Sequence, residues 1–153
     1  MKGITAMKLV GKKAIVTGAS RGIGAAVARR LARDGATVGI VYKSNTSAAE
    51  RVAEEIRAAD GRAEILRADV ADEIAARATV QAFASRFGKI DILVNSAGTF
   101  DAAPAGEISR EMFESQMRMH AWSVIAMMQA ALPHFPTSGG FIVNVSTSLV
   151  HEP

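Results

Sequence analysis

The chain has 153 residues, 49% of them hydrophobic and 22% charged, with a formal net charge of +3 and no cysteine. That balance excludes a disordered chain, a disulfide scaffold and a thiolate metal site; one folded domain burying roughly 70% of its unfolded surface is expected. Lys and Arg are scattered among acids, the first seven residues lack a signal-peptide pattern and no run is long enough to span a bilayer, so we expect no nucleic-acid partner, no membrane and a cytoplasmic location.

Short β-type runs alternate with helical patterns from end to end, which predicts βαβ units and a parallel sheet with helices on both faces. The first strand, Lys13–Thr17, leads through a glycine-rich turn into a helix. On it Ile23, Val27 and Leu31 form an apolar stripe expected to pack on the sheet, and Gly35 ends it. The second strand, Thr37–Tyr42, precedes a helix opened by the capping-box pattern Ser47-Ala48-Ala49-Glu50 and stopped near Gly61. A third strand over 63–67 is followed by a helix from about Asp72 to Phe87, closed by Gly88. After a fourth strand over 90–95, a long helix over 109–132 carries Met112, Met117, Met119, Met127 and Met128, expected in the core or at a subunit contact, until Pro133 stops it. A fifth strand spans 141–146, and no repeat or low-complexity linker divides the chain.

Chemistry concentrates in the first turn. Glycines at 18, 22 and 24 let the backbone bend tightly and approach a pyrophosphate, with the unpaired amides and positive end of the following helix facing the anion. Gly18, Ser20, Arg21, Gly22, Ile23 and Gly24 are therefore candidate dinucleotide-binding residues.

The run Thr17-Gly18-Ala19-Ser20-Arg21-Gly22-Ile23-Gly24 stands with Ala68-Asp69-Val70, Asn95-Ser96-Ala97-Gly98, Ala130-Ala131-Leu132-Pro133-His134 and Ile142-Val143-Asn144-Val145-Ser146. Together they resemble the short-chain dehydrogenase/reductase family, in particular its 3-oxoacyl-reductase-like members, over essentially the whole chain. The resemblance implies an α/β Rossmann-type doubly wound parallel sheet, truncated after the fifth strand, in a single dinucleotide-binding domain over 1–153. It also makes Asp69, Val70, Asn95, Ala97 and Gly98 cofactor residues. A free ribose 2′-hydroxyl is usually held by a carboxylate at the end of the second strand, whereas a 2′-phosphate needs a cation. Here that strand ends Tyr42-Lys43-Ser44-Asn45, without an acid, and Arg21 stands in the glycine turn. NADP is the expected cofactor rather than NAD, with Arg21 and Lys43 gripping the phosphate and Tyr42 and Ser44 beside them.

In the family a serine orients the carbonyl, a tyrosine is the general acid/base, a lysine lowers its pKa and holds the ribose, and an asparagine on the long helix supports a proton relay. The resemblance points to Ser148 as the serine, with Ser146 or Thr147 taking its place under another register. It sets His120 at the asparagine position, either as a polar support or as a helix histidine without a role. The sole tyrosine, Tyr42, belongs to the second strand, and no Tyr-x-x-x-Lys run occurs. The expected activity is hydride transfer between NADP(H) and a small-molecule carbonyl or secondary alcohol; the alternative is an inactive truncated fragment that at most binds the nucleotide. Ending at the fifth strand is expected to leave apolar surface uncovered, favouring a homo-oligomer or a loosened C-terminal region.

Overall fold

The computed structural model describes residues 8–146. Five parallel strands, β1 (Lys13–Thr17), β2 (Thr37–Tyr42), β3 (Arg62–Arg67), β4 (Ile92–Asn95) and β5 (Phe141–Asn144), form one sheet in the order β3-β2-β1-β4-β5. The chain moves outward from β1 to β3, then crosses back to place β4 on the other side of β1. The strand order reverses between β1 and β4, which opens a crevice at their carboxyl ends.

Alternate side chains of the strands feed two cores. Ala14, Val16, Val38, Ile40, Ile92 and Val94 pack beneath α1 (Gly22–Arg33) and α2 (Thr46–Ala58). On the opposite face Ile15, Val41 and Leu93 meet α3 (Glu73–Phe87) and α5 (Ser123–Ala131), with Phe83 at the centre. Gly39 lies under Phe83: a Cβ there would stand 2.9 Å from its Cδ2. The missing side chain in β2 is therefore space for a ring on the helix above.

Local details depart from the sequence expectations in several places. The face of α1 that meets the sheet is Gly24, Ala25, Ala28 and Ala32, while Ile23 is 63% exposed and Val27 and Leu31 flank the core. Small side chains let a helix approach strands closely, so the stripe of larger residues slides to the margin. The capping box does not form: the cap lies two residues earlier, where Asn45 Oδ1 accepts from the N–H of Ala48 at 3.0 Å. The helix does stop near Gly61, with Asp60 left-handed (φ +60) and Gly61 tight against Ile56. Gly35 and Gly88 do adopt positive φ, at +103° and +85°.

The long helix departs as well. It divides into α4 (Arg110–Met117), a π turn over Arg118–Trp122, and α5, followed by a short 3₁₀ turn at Leu132–His134 that contains Pro133. Just past the π turn the Ser123 hydroxyl donates to the carbonyl of Met119. Met119 and Met127 enter the core, whereas Met117 stays exposed on the α4 surface beside Phe113 and Trp122. β5 ends at Asn144 rather than 146, although the N–H of Val145 still donates to the carbonyl of Asn95. Phe141, Val143 and Val145 project exposed from one face of β5.

At the opposite end of the sheet, Asp91 ties the start of β1 in place. Its Oδ1 accepts from Lys12 Nζ at 2.8 Å and its Oδ2 from the N–H of Lys13 at 2.9 Å. Burial pushes this carboxyl pKa up, but the hydrogen bonds from Lys12 and Lys13 and their charges outweigh it, and the net shift is downward. A carboxylate depressed by folding stabilises above its unfolded pKa, near 3.9, and loses that contribution as pH falls through the lower folded value. Urea midpoints are therefore expected to drop below about pH 4, and Asp91→Asn should flatten that drop; an unchanged acid limb in the variant would remove Asp91 from the account.

Candidate cofactor site

A cleft of about 360 Å³ lies at the carboxyl ends of β1 to β4. Gly18, Ser20 and Arg21 form one wall, Tyr42, Lys43 and Ser44 the rim beyond β2, and Asp69 and Val70 the floor after β3; Ala97 and Gly98 close the side after β4. Segments far apart in the chain meet here because parallel strands deliver all their carboxyl ends to one edge.

The glycine turn is built by close approach. Gly18 has φ +65°, and a Cβ on it would stand 2.8 Å from Ala97 Cα. Gly22 is also left-handed, at φ +56°. Gly24 points inward, where a Cβ would fall 2.5 Å from the Gly18 carbonyl oxygen. Gly22, Ile23 and Gly24 thus shape the turn and the start of α1 without lining the cleft, and Ile23 stands exposed beside it. The first turn of α1 has no side-chain cap. By contrast α2, α3 and α4 are capped by Asn45, Asp72 and Ser109. The amide donors that open α1 are therefore free for an anion in the cleft, and a positive helix end adds to the attraction.

Thr17, the last residue of β1, opens the matched glycine run but was given no role of its own by the sequence. It is 1% exposed, and its Oγ1 accepts from the N–H groups of both Ser96 and Ala97 at 3.0 Å. One hydroxyl thus fixes the turn after β4 against the turn after β1. Asn95 is buried outside the cleft, its Nδ2 donating to Asn144 Oδ1 at 2.9 Å, so it ties β4 to β5. Tyr42 is only 6% exposed and belongs mainly to the core beneath α2. Ser96, within the expected Asn95–Gly98 turn, lines the cleft with Ala68 and Asn45 from the matched runs, and Val41, Thr99 and Met119 join them without having been expected there. The residue types of these last three carry no signal; only the meeting of loops and the π turn brings them there.

Charge at the rim differs from expectation. Lys43 is not free: its Nζ lies 2.6 Å from Asp69 Oδ2, while Asp69 Oδ1 accepts from the N–H of Ala71 at 3.0 Å. Burial raises the Asp69 pKa, but the hydrogen bonds from Lys43 and Ala71 outweigh it and leave the carboxyl below its ordinary value. Arg21 forms no ion pair among the described residues and is exposed.

At the far end of the cleft His120 sits in the π turn with Nε2 2.6 Å from the carbonyl oxygen of Thr99. A carbonyl only accepts, so Nε2 carries the proton and Nδ1 is left without it in the neutral ring. The ring lies against Gly98, where a Cβ would be 3.0 Å from Cε1. Ser146 is exposed just past β5, and Thr147 and Ser148 lie outside the described residues.

The model of the short-chain dehydrogenase family matches residues 12–153. The chain belongs to that family. An uncharacterized oxidoreductase of Methylorubrum extorquens is 42% identical over 140 residues, covering 92% of this chain and 56% of the relative. A D-threitol dehydrogenase of Mycolicibacterium smegmatis is 39% identical over 141 residues, covering 92% and 54%. Among solved structures, a short-chain dehydrogenase from Burkholderia cenocepacia in complex with NADP superimposes with a TM-score of 0.90 at 41% identity, covering 95% of this chain and 59% of that one. The blue fluorescent protein from a metagenomic library, in complex with NADPH, gives 0.89 at 38% identity, with the same coverage. This short-chain dehydrogenase chain therefore has the family's Rossmann-type doubly wound sheet, and it spans about half the length of the curated relatives it matches. Among the described residues no helix is long and apolar enough to cross a membrane, and no cluster of three or more metal-binding side chains occurs.

Proposed function

We propose that the chain forms a single dinucleotide-binding domain of an NADP(H)-dependent oxidoreductase that interconverts a small-molecule carbonyl and a secondary alcohol. The observation that carries this reading is the uncapped amino end of α1, set behind a glycine turn that a single Cβ would jam. Two relatives of the same fold were solved with NADP and NADPH, which supports the same class of ligand here. When bound, the nicotinamide group supplies the hydride chemistry. Gly18 and Ser20 line the cleft where the diphosphate is received, with the uncapped first amides of α1 behind them; Asp69 and Val70 flank the adenosine, and Ala97 and Gly98 border the opposite end. Gly22 and Gly24 keep the turn in shape, Asn95 holds the β4 end against β5, and Ile23 stands at the open side. Arg21 reaches the 2′-phosphate, with Ser44, Tyr42 and Lys43 on the same rim.

For the chemical step we propose that Ser148 orients the substrate oxygen and that His120 supports the polar network through its free Nδ1, with Thr99 holding the ring. Tyr42 cannot be the proton donor, because its side chain is buried in the sheet core. The residues of this chain that line the cleft hold and orient the cofactor. Self-association through the exposed Phe113, Met117, Trp122 and Ile125 belongs to this proposal; light scattering should find species above the monomer mass, and a monomer at every concentration removes that part.

Titration of NADPH and NADH fluorescence tests the cofactor reading. NADPH should bind the more tightly, and Arg21→Gln should weaken it about tenfold or more, as losing a charge-assisted contact does. Equal binding of the two dinucleotides would refute the 2′-phosphate assignment; binding of neither would refute the cofactor site.

A further inference from the structure

The two residues that meet across the adenosine end of the cleft, Lys43 and Asp69, come from neighbouring strands whose ends pair in register at Tyr42 and Arg67. They are not equivalent partners. Asp69 is held by the N–H of Ala71 and its side chain is 33% exposed; Lys43 sits on a long, flexible stem, 65% exposed. The backbone carbonyl of Lys43 accepts from Arg67 Nε at 3.3 Å, so its main chain is anchored while its ammonium can swing. Of the two cations that line the cleft here, Arg21 is free of ion pairs among the described residues and Lys43 is already engaged by a carboxylate.

Resting on the cofactor reading above, we propose that Lys43 and Asp69 form a latch that sets how strongly the 2′-phosphorylated nucleotide is preferred. Lys43 must leave the carboxylate, or share itself with it, before it can serve the phosphate. Its contribution is therefore the difference between two ion pairs and is small, whereas Arg21 contributes its whole interaction. Asp69 is thus a specificity-determining residue that acts through Lys43, and it damps a preference that the two rim cations would otherwise make steep. The arrangement suits a protein that keeps measurable affinity for both forms of the nucleotide.

The test uses small probes of the adenosine end, adenosine 2′,5′-bisphosphate and adenosine 5′-monophosphate, titrated calorimetrically. The quantity read is the ratio of their dissociation constants. Asp69→Asn keeps an oxygen for the Ala71 amide but frees Lys43, so the preference for the bisphosphate should rise about two- to fivefold, the reach of an exposed ion pair. In a Lys43→Gln background the same substitution should change the ratio by less than half as much, because simple repulsion between Asp69 and phosphate survives there but the latch does not. A second arm needs no change at Asp69: Lys43→Gln alone should lower the preference several-fold less than Arg21→Gln does. An unchanged ratio in Asp69→Asn, an equal rise with and without Lys43, or equal losses from Lys43→Gln and Arg21→Gln would each overturn the latch while leaving the cofactor site standing. Failure of the unaltered chain to bind either probe would overturn the cofactor reading, and the latch with it.

Discussion

Gly18→Ala is expected to abolish measurable NADPH binding and to lower the stability of the whole chain. The position combines two demands that a methyl group cannot meet. Its φ of +65° strains any L side chain, and the added Cβ would stand 2.8 Å from Ala97 Cα and 3.0 Å from its N. The left-handed conformation costs about 1–2 kcal/mol and a forced backbone shift about 1–3 kcal/mol, so a loss of roughly 2–5 kcal/mol is expected. For a chain of this size that lowers the melting temperature by roughly 5–20 °C. Because the backbone of the turn after β4 has to yield, the damage spreads to both walls of the cleft. Dinucleotide affinity should fall by about 100-fold or more, since a loss near 2.7 kcal/mol at the phosphate-binding backbone suffices. A variant with the parent's melting temperature and affinity would show that the turn does not press on Ala97.

Thr17→Val should be nearly as damaging although it alters neither shape nor charge. The hydroxyl is buried and accepts from two backbone amides, of Ser96 and Ala97, which in valine would face a methyl group. Leaving a donor without a partner costs about 1–3 kcal/mol where water cannot replace it, which places the loss at about 2–6 kcal/mol for the pair. Thr17→Ser keeps the oxygen and should retain most of the stability. The same contrast should appear in NADPH affinity, because Thr17 registers the β4 turn against the glycine turn. Chemical denaturation of both variants decides the matter: equal stability of the serine and valine proteins would show that the hydroxyl carries no weight.

These two residues also divide what was legible from what was not. Gly18 could be chosen from the chain alone, because glycines spaced between a strand and a helix answer a local backbone requirement. Thr17 could not, because its acceptor role depends on amides 79 and 80 residues away. The π turn was equally hidden: nothing in the run around His120 breaks a helical pattern, yet there the chain winds more widely and carries the imidazole to Thr99.

By itself the sequence determined the order of the strands and main helices, the parallel sheet with helices on both faces, and the position of the glycine turn. All of these follow from periodicity and backbone preference, which act over a few residues. Only the tertiary structure decided which face of α1 meets the sheet, that Asn45 rather than Ser47 caps α2, and that Lys43 is engaged by Asp69 instead of waiting for a phosphate. Those outcomes depend on how closely helices approach strands and on which charges reach one another across neighbouring strand ends. Such distances exist only once the sheet has closed, and no spacing along the chain encodes them directly.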